Sequence, residues 1–271
     1  MFNLGSVISS REVYHPQRIM LYGVQGIGKS SCAATFAAPI LLRTEDGVGA
    51  LDVPTFPEVA TTYEQLGEAI GALYHEEHKF RTLILDSLDW TEPLVWRAVC
   101  NEHLDGQGKP LASIEALGYG KGYVEADNKW REIMGWLDML RAQKGMQIVV
   151  IAHSAVVTFN PPDGESFDRY QPKLHKRAFG LWQEWADEVL FLNYRRRIIT
   201  DEHGKRRAEG EGNRVIFTQE RPAFLAKNRW NLPSEITIGQ DKTWRPLHDA
   251  LANAIGNAYP YPYEKAQKQG K

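Results

Sequence analysis

The sequence predicts an α/β fold on a mostly parallel central sheet, flanked by helices, with an antiparallel hairpin toward the C-terminus. Three observations point there. Short apolar runs alternate with longer helical patterns, as in strand–crossover–strand architectures. A glycine-rich turn, "GVQGIGKS" (23–30), separates a strand pattern from a helix pattern. The 271 residues are 43% hydrophobic, which supplies an ordinary globular core. In order, "RIMLYG" reads as a buried strand entering the glycine turn and "KSSCAATFA" as the helix leaving it. "PILLRTE", "TLILDS" and "QIVVIAHS" are the next strands. Between the last two, "DNKWREIMGWLDMLRA" spaces Trp130, Met134, Leu137 and Met139/Leu140 as one helix face. "SAVVTFNPPDGESFDRYQPKLHKRAFG" (154–180) has little periodicity and reads as a long loop, functional or disordered. "DEVLFLNYRRRII" and "NRVIFTQE" are strands joined by the charged, glycine-containing "TDEHGKRRAEGEG", an exposed hairpin turn. "PLHDALANAIG" is a terminal helix before a basic tail, 258–271, expected to be mobile. With no internal repeat and no long linker, one domain is expected over 1–271, its core at about 10–250.

Composition excludes several classes. Cys32 and Cys100 are too few for a disulfide framework, and no His/Cys group has zinc-ligand spacing, so a reducing cytoplasm is expected. No signal-peptide pattern and no run of about 18 apolar residues is present, so neither export nor membrane insertion is expected. The formal net charge of −2 rules out a polycation, leaving local basic patches to carry any affinity for nucleic acid.

The glycine turn fits G-x-x-x-x-G-K-[ST], a loop whose successive backbone N–H groups curl around phosphate oxygens. Gly23, Gln25, Gly26, Ile27, Gly28, Lys29, Ser30 and Ser31 are the expected nucleotide-binding residues for ATP, with Lys29 at the β- and γ-phosphates and Ser30 on Mg²⁺. Asp86, ending an apolar strand, is the expected second Mg²⁺-side residue. Ser87 follows it where many motor ATPases carry a glutamate, so the base must come from another strand; Glu45 is preferred to its neighbour Asp46. His153 ends a strand at the same sheet edge.

The set formed by the phosphate loop, "TEDGVGALD", "LILDSLD", "IAHS" and "AKNR" resembles the RecA-like P-loop NTPase core, with His153 where RecA has glutamine. The resemblance implies Glu45 as the base that activates water, Asp86 as the Mg²⁺-side carboxylate, and His153 as the phosphate sensor. Lys227 and Arg229 are implied as fingers that reach a neighbouring subunit's site. More closely, the chain resembles phage-encoded minimal RecA-like ATPases, including the RecA-like branch of the Sak single-strand annealing proteins. This implies a bacterial host cytoplasm, a ring or filament of identical subunits, and single-stranded DNA as partner, with a single-strand-binding protein as a possible further one. In such proteins two loops face DNA. Here these are "HLDGQGKPLASIEALGYGKGY", with Lys109, Tyr119, Lys121 and Tyr123, and the stretch after His153, with Arg169, Tyr170, Lys173, Lys176 and Arg177. Cations for phosphates with aromatics for stacking suit sequence-tolerant single-strand binding. The arginine-rich hairpin at 195–207 is a secondary candidate. An annealing protein with nucleotide only as a switch, a hexameric DNA motor or helicase loader, and a small-molecule kinase are the alternatives.

Overall fold

The computed structural model describes residues 15–47, 49, 51–200, 206–239 and 243–262, with side chains for all of these except 196–200 and 206–211. Strand β1 (Arg18–Gly23) lies at the centre of the sheet. On one side it pairs in parallel with β4 (Gln147–Phe159), followed by β3 (Thr82–Asp86) and the edge strand β2 (Pro39–Arg43). On the other side it pairs in parallel with β6 (Glu188–Thr200), beyond which β7 (Arg206–Phe217) and β9 (Glu235–Ile238) run antiparallel. The β6–β7 pair is the expected antiparallel hairpin, though its turn at 201–205 lies outside the described residues, as does the tail from 263.

The parallel strands read as unbroken apolar runs because helices cover both their faces. Alternate side chains divide the core. Met20 and Tyr22 point to the face covered by α2 (Tyr63–His75), α3 (Leu88–Glu102), α4 (Lys121–Gln143) and α5 (Lys176–Trp185). Ile19 and Leu21 point to the face covered by α1 (Lys29–Ala33) and α6 (Arg245–Ile255). On α4, Trp130, Ile133, Leu137 and Leu140 form the buried stripe, whereas Met139 is exposed. Trp130 meets Trp182 of α5 edge to face, with centroids 5.5 Å apart. Each such side chain contributes about 1.5–3 kcal/mol by leaving water, so α4 is anchored along its whole length.

The expected long loop after His153 is corrected by the structure. Strand β4 runs on to Phe159, turns at 160–166, and returns as β5 (Phe167–Pro172), antiparallel to it. "SAVVTF" and "FDRYQP" place partners opposite one another, Thr158 Oγ1 donating to Asp168 at 2.8 Å, while "NPPDGES" supplies the turn. Helix α5 then follows at once.

A third strand pair locks the far end of the sheet. Strand β8 (Lys227–Asn228) pairs with the start of β6, and Glu188, fully buried there, accepts the backbone N–H groups of Arg229 and Trp230 at 2.8 Å each. Its second oxygen has no hydrogen-bond partner among the described residues. Burial pushes this carboxyl up from 4.5 to about 7, against those two hydrogen bonds. Because the folded state then holds the proton more tightly than the unfolded chain, stability falls as pH rises from about 4.5 to about 7. Glu188→Gln keeps the accepting oxygen and loses the buried charge. Urea unfolding across this range is expected to show a shallower pH slope for the variant, with a gain on the order of 3 kcal/mol at pH 8. An unchanged slope would show that Glu188 is already ionised throughout.

Candidate functional site

The C-terminal ends of β1 and β3, the middle of β4 and the segment after β2 meet around one cleft of about 490 Å³, within the usual range for a small-molecule site. Gly26 (φ 73°) and Gly28 (φ 99°) carry the backbone through the left-handed region that side chains disfavour, curling the loop before α1. Lys29 opens α1 and turns its Nζ back onto the carbonyls of Gly23 and Val24 at 3.2 and 3.3 Å. Burial lowers its pKa, opposed by the charges of Asp86, Asp89 and Glu45. Gly26, Gly28, Ser30 and Ser31 line the cleft with Lys29; Ile27 is buried in the α1 core and Gln25 is exposed.

Ser30 Oγ donates to Asp86 Oδ2 at 2.6 Å. Burial raises the Asp86 pKa, with the Glu45 charge adding to it and the Ser30 hydrogen bond and Lys29 charge opposing. Glu45 Oε1 accepts from Ser87 Oγ at 2.7 Å, and Oε2 has no hydrogen-bond partner among the described residues. Asp46 is exposed and does not line the cleft; it lies 3.9 Å from Arg43. His153 Nδ1 and backbone N are both held by the Asp89 carboxylate at 2.9 Å, while the residue also lines the cleft. The Asp89 hydrogen bond raises the His153 pKa despite partial burial. Burial acts to raise Asp89, but the bonds from His153 outweigh it and lower that carboxyl.

A hard divalent cation fits this donor set. Mg²⁺ takes oxygen ligands and keeps most of its shell for water and phosphate oxygens. The adjacent Ser30 hydroxyl and Asp86 carboxylate offer two such oxygens, and among the described residues no group of three or more His, Cys, Asp or Glu competes as a metal cage.

Two supports escaped sequence reasoning. Asp89, in the first turn of α3, fixes the histidine; Thr44 ties β2 to β3 by accepting from Ser87 N at 2.9 Å and donating to Ser87 O at 2.8 Å. Only the density of polar residues in "RTED" and "LDSLD" hinted at them.

The remaining expected residues lie elsewhere. Lys227 and Arg229 sit at the opposite end of the parallel strands from Gly23. The Lys227 ammonium is spent within its own chain, donating to the carbonyls of Gln183, Glu184 and Ala186 at the end of α5. Arg229, half exposed, pairs with Asp187 at 3.2 Å. Of the proposed DNA contacts, Lys109, Tyr119, Lys121, Lys173 and Lys176 are exposed. Tyr123 instead stacks on His175 at 4.1 Å, and the partly buried Tyr170 packs against Phe191 of the core. Arg169 lies 3.9 Å over Phe159 and pairs with Glu220, and Arg177 pairs with Asp127 at 2.5 Å. Arg195 pairs with Glu235. No helix among the described residues is long and apolar enough to cross a membrane.

Residues 15–230 match the AAA domain family. The chain belongs to the AAA domain family. The match takes in the phosphate loop, Glu45, Asp86, His153 and Arg229, so the whole cleft lies within the AAA domain. No curated protein matches the chain. Among solved structures it is similar to the RadB recombinase, with 12% identity, a TM-score of 0.43, and coverage of 83% of this chain and 89% of that one.

Proposed function

We propose that this AAA-domain chain is a RecA-like, Mg²⁺-dependent ATPase that holds single-stranded DNA and acts in phage recombination, by annealing or strand exchange. One observation carries the reading: Lys29, Ser30, Asp86, Glu45 and His153 share one cleft, and β4, which brings His153 there, continues directly into the β4–β5 hairpin. In this reading the loop N–H groups and Lys29 hold the β- and γ-phosphates of ATP, and Ser30 and Asp86 hold Mg²⁺. The metal supplies charge neutralisation of the phosphate oxygens when bound. Glu45 Oε2 takes the proton of the attacking water, while Ser87 fixes the other oxygen. His153, oriented by Asp89, hydrogen-bonds the terminal phosphate.

Exposed Lys173 and Lys176 beside the hairpin, with Lys109, Tyr119 and Lys121 on the 103–120 segment and the start of α4, are the proposed strand contacts. Arg229 is the proposed finger toward a neighbouring copy, because five strand residues, or roughly 17 Å, separate its level from the phosphate loop of its own chain. A homo-oligomer with shared sites follows from that role, and a single-strand-binding protein is the natural further partner.

The test is phosphate release by the wild type with and without an oligo-dT strand. Stimulation of about tenfold is expected, falling steeply between low and moderate salt as phosphate contacts are screened, with Lys29→Ala inactive. Hydrolysis indifferent to DNA, together with Lys29→Ala protein that still anneals complementary strands, would instead favour an annealing protein in which nucleotide is at most a switch.

A further inference from the structure

On the flank of the glycine loop away from Asp86 and His153, the fold places a cation. Arg214 of β7 pairs with Tyr194 of β6, two residues past the Leu192–Ile216 pair, and Leu192 is itself opposite Gly23. Arg214 therefore stands at the same sheet end as the loop. A Cβ added to Gly28 would lie 3.1 Å from Arg214 Nη1 and 3.0 Å from Trp244 Cζ2, so both side chains abut the loop backbone. The guanidinium carbon lies 5.7 Å from the Trp244 ring centroid, and Trp244 is itself buried, just before α6. The arginine is thus held on a fixed platform.

Among the described residues Arg214 has no hydrogen bond and no ion pair. A guanidinium carries five N–H donors and keeps its charge at any physiological pH. Placed beside a curl of backbone N–H groups and near the Lys29 ammonium, it adds positive potential that no carboxylate among the described residues offsets by direct contact. Such an arrangement becomes favourable when an anion occupies the loop.

We infer that Arg214 is a phosphate-binding residue for the nucleotide, acting in the same subunit from the β6–β7 side of the loop. The inference rests on the reading of the loop as a nucleotide site and adds a second cation to Lys29. It makes the hold on ADP, as well as on ATP, depend on a strand outside the parallel core.

Calorimetric titration with Mg·ADP and Mg·ATP, together with thermal unfolding in the absence of nucleotide, tests it on wild type, Arg214→Ala, Arg214→Lys and Lys29→Ala. Arg214→Ala is expected to weaken both nucleotides by about tenfold, the effect of one charge-assisted hydrogen bond. Arg214→Lys should recover part of the loss, with the unfolding temperatures of both variants close to wild type. Affinity unchanged in Arg214→Ala overturns the inference. So does an equal loss in Arg214→Lys accompanied by a lowered unfolding temperature, which marks Arg214 as a prop for Trp244. Wild type that binds no better than Lys29→Ala overturns the reading of the loop itself.

Discussion

Glu45→Gln is expected to bind ATP like the wild type and to hydrolyse it about 10²- to 10⁴-fold more slowly, the usual contribution of a positioned general base. The substitution isolates basicity. A glutamine oxygen still accepts the hydrogen from Ser87 Oγ, now 2.7 Å from Glu45 Oε1, so the side chain keeps its place beside Thr44 and the end of β3. What disappears is the free oxygen able to take a proton from water. Single-turnover phosphate release measures the step directly, and nucleotide titration confirms that the cleft is intact. Turnover retained within about threefold of wild type would remove Glu45 from the role and turn attention to the rest of the rim.

Gly23→Ala is expected to destabilise the fold by about 3 kcal/mol or more, or to prevent soluble expression. A methyl at this position would sit 2.2 Å from the carbonyl oxygen of Leu192 and 3.0 Å from its carbonyl carbon. Leu192 is buried in β6 and paired both with Gly23 and with Ile216 of β7, so its backbone cannot yield without opening the sheet on two sides. Gly26→Ala is the comparison. Its methyl would meet nothing within 4 Å, and the cost is limited to holding alanine at φ 73°, about 1–2 kcal/mol. Urea denaturation of the two variants separates the steric demand of the sheet from the conformational demand of the turn; equal midpoints would contradict the packing argument.

The parallel core was legible in the sequence because strands covered on both faces need apolar residues at every position, as in "RIMLYG" and "TLILD". The phosphate loop was legible because its glycines and lysine are fixed by local geometry. The second half of β4 and β5 escaped because a two-stranded projection shares its side chains between solvent and partner, so its pattern is weak and the Pro-Pro-Asp-Gly turn dominates it. Helix α5 was hidden by its own basic first turn and by Gly180 within it. The supports of the site were invisible for a different reason. Asp89 and His153 lie 64 residues apart, and Thr44 and Ser87 lie 43 apart, so the contacts exist only once the strands are side by side. Composition likewise could not tell Lys227, bound to helix-terminal carbonyls of its own chain, from Arg229, whose side chain is half exposed.

His153 is joined to more than the cleft. Its carbonyl accepts from Lys173 N at 2.8 Å, just past the hairpin, while its ring and backbone N–H are held by Asp89; one helical turn on, Glu92 accepts the N–H of His175 at 3.0 Å. The rim of the phosphate site and the base of the hairpin are therefore fastened to the same two points of α3. Free energy exchanged through such a joint obeys reciprocity: whatever factor a strand bound at the hairpin applies to nucleotide affinity, nucleotide must apply to strand affinity. On the proposed function, the hairpin and the cleft are two handles on a single equilibrium, and removing the Asp89 carboxylate is expected to weaken the coupling between the two grips equally in both directions.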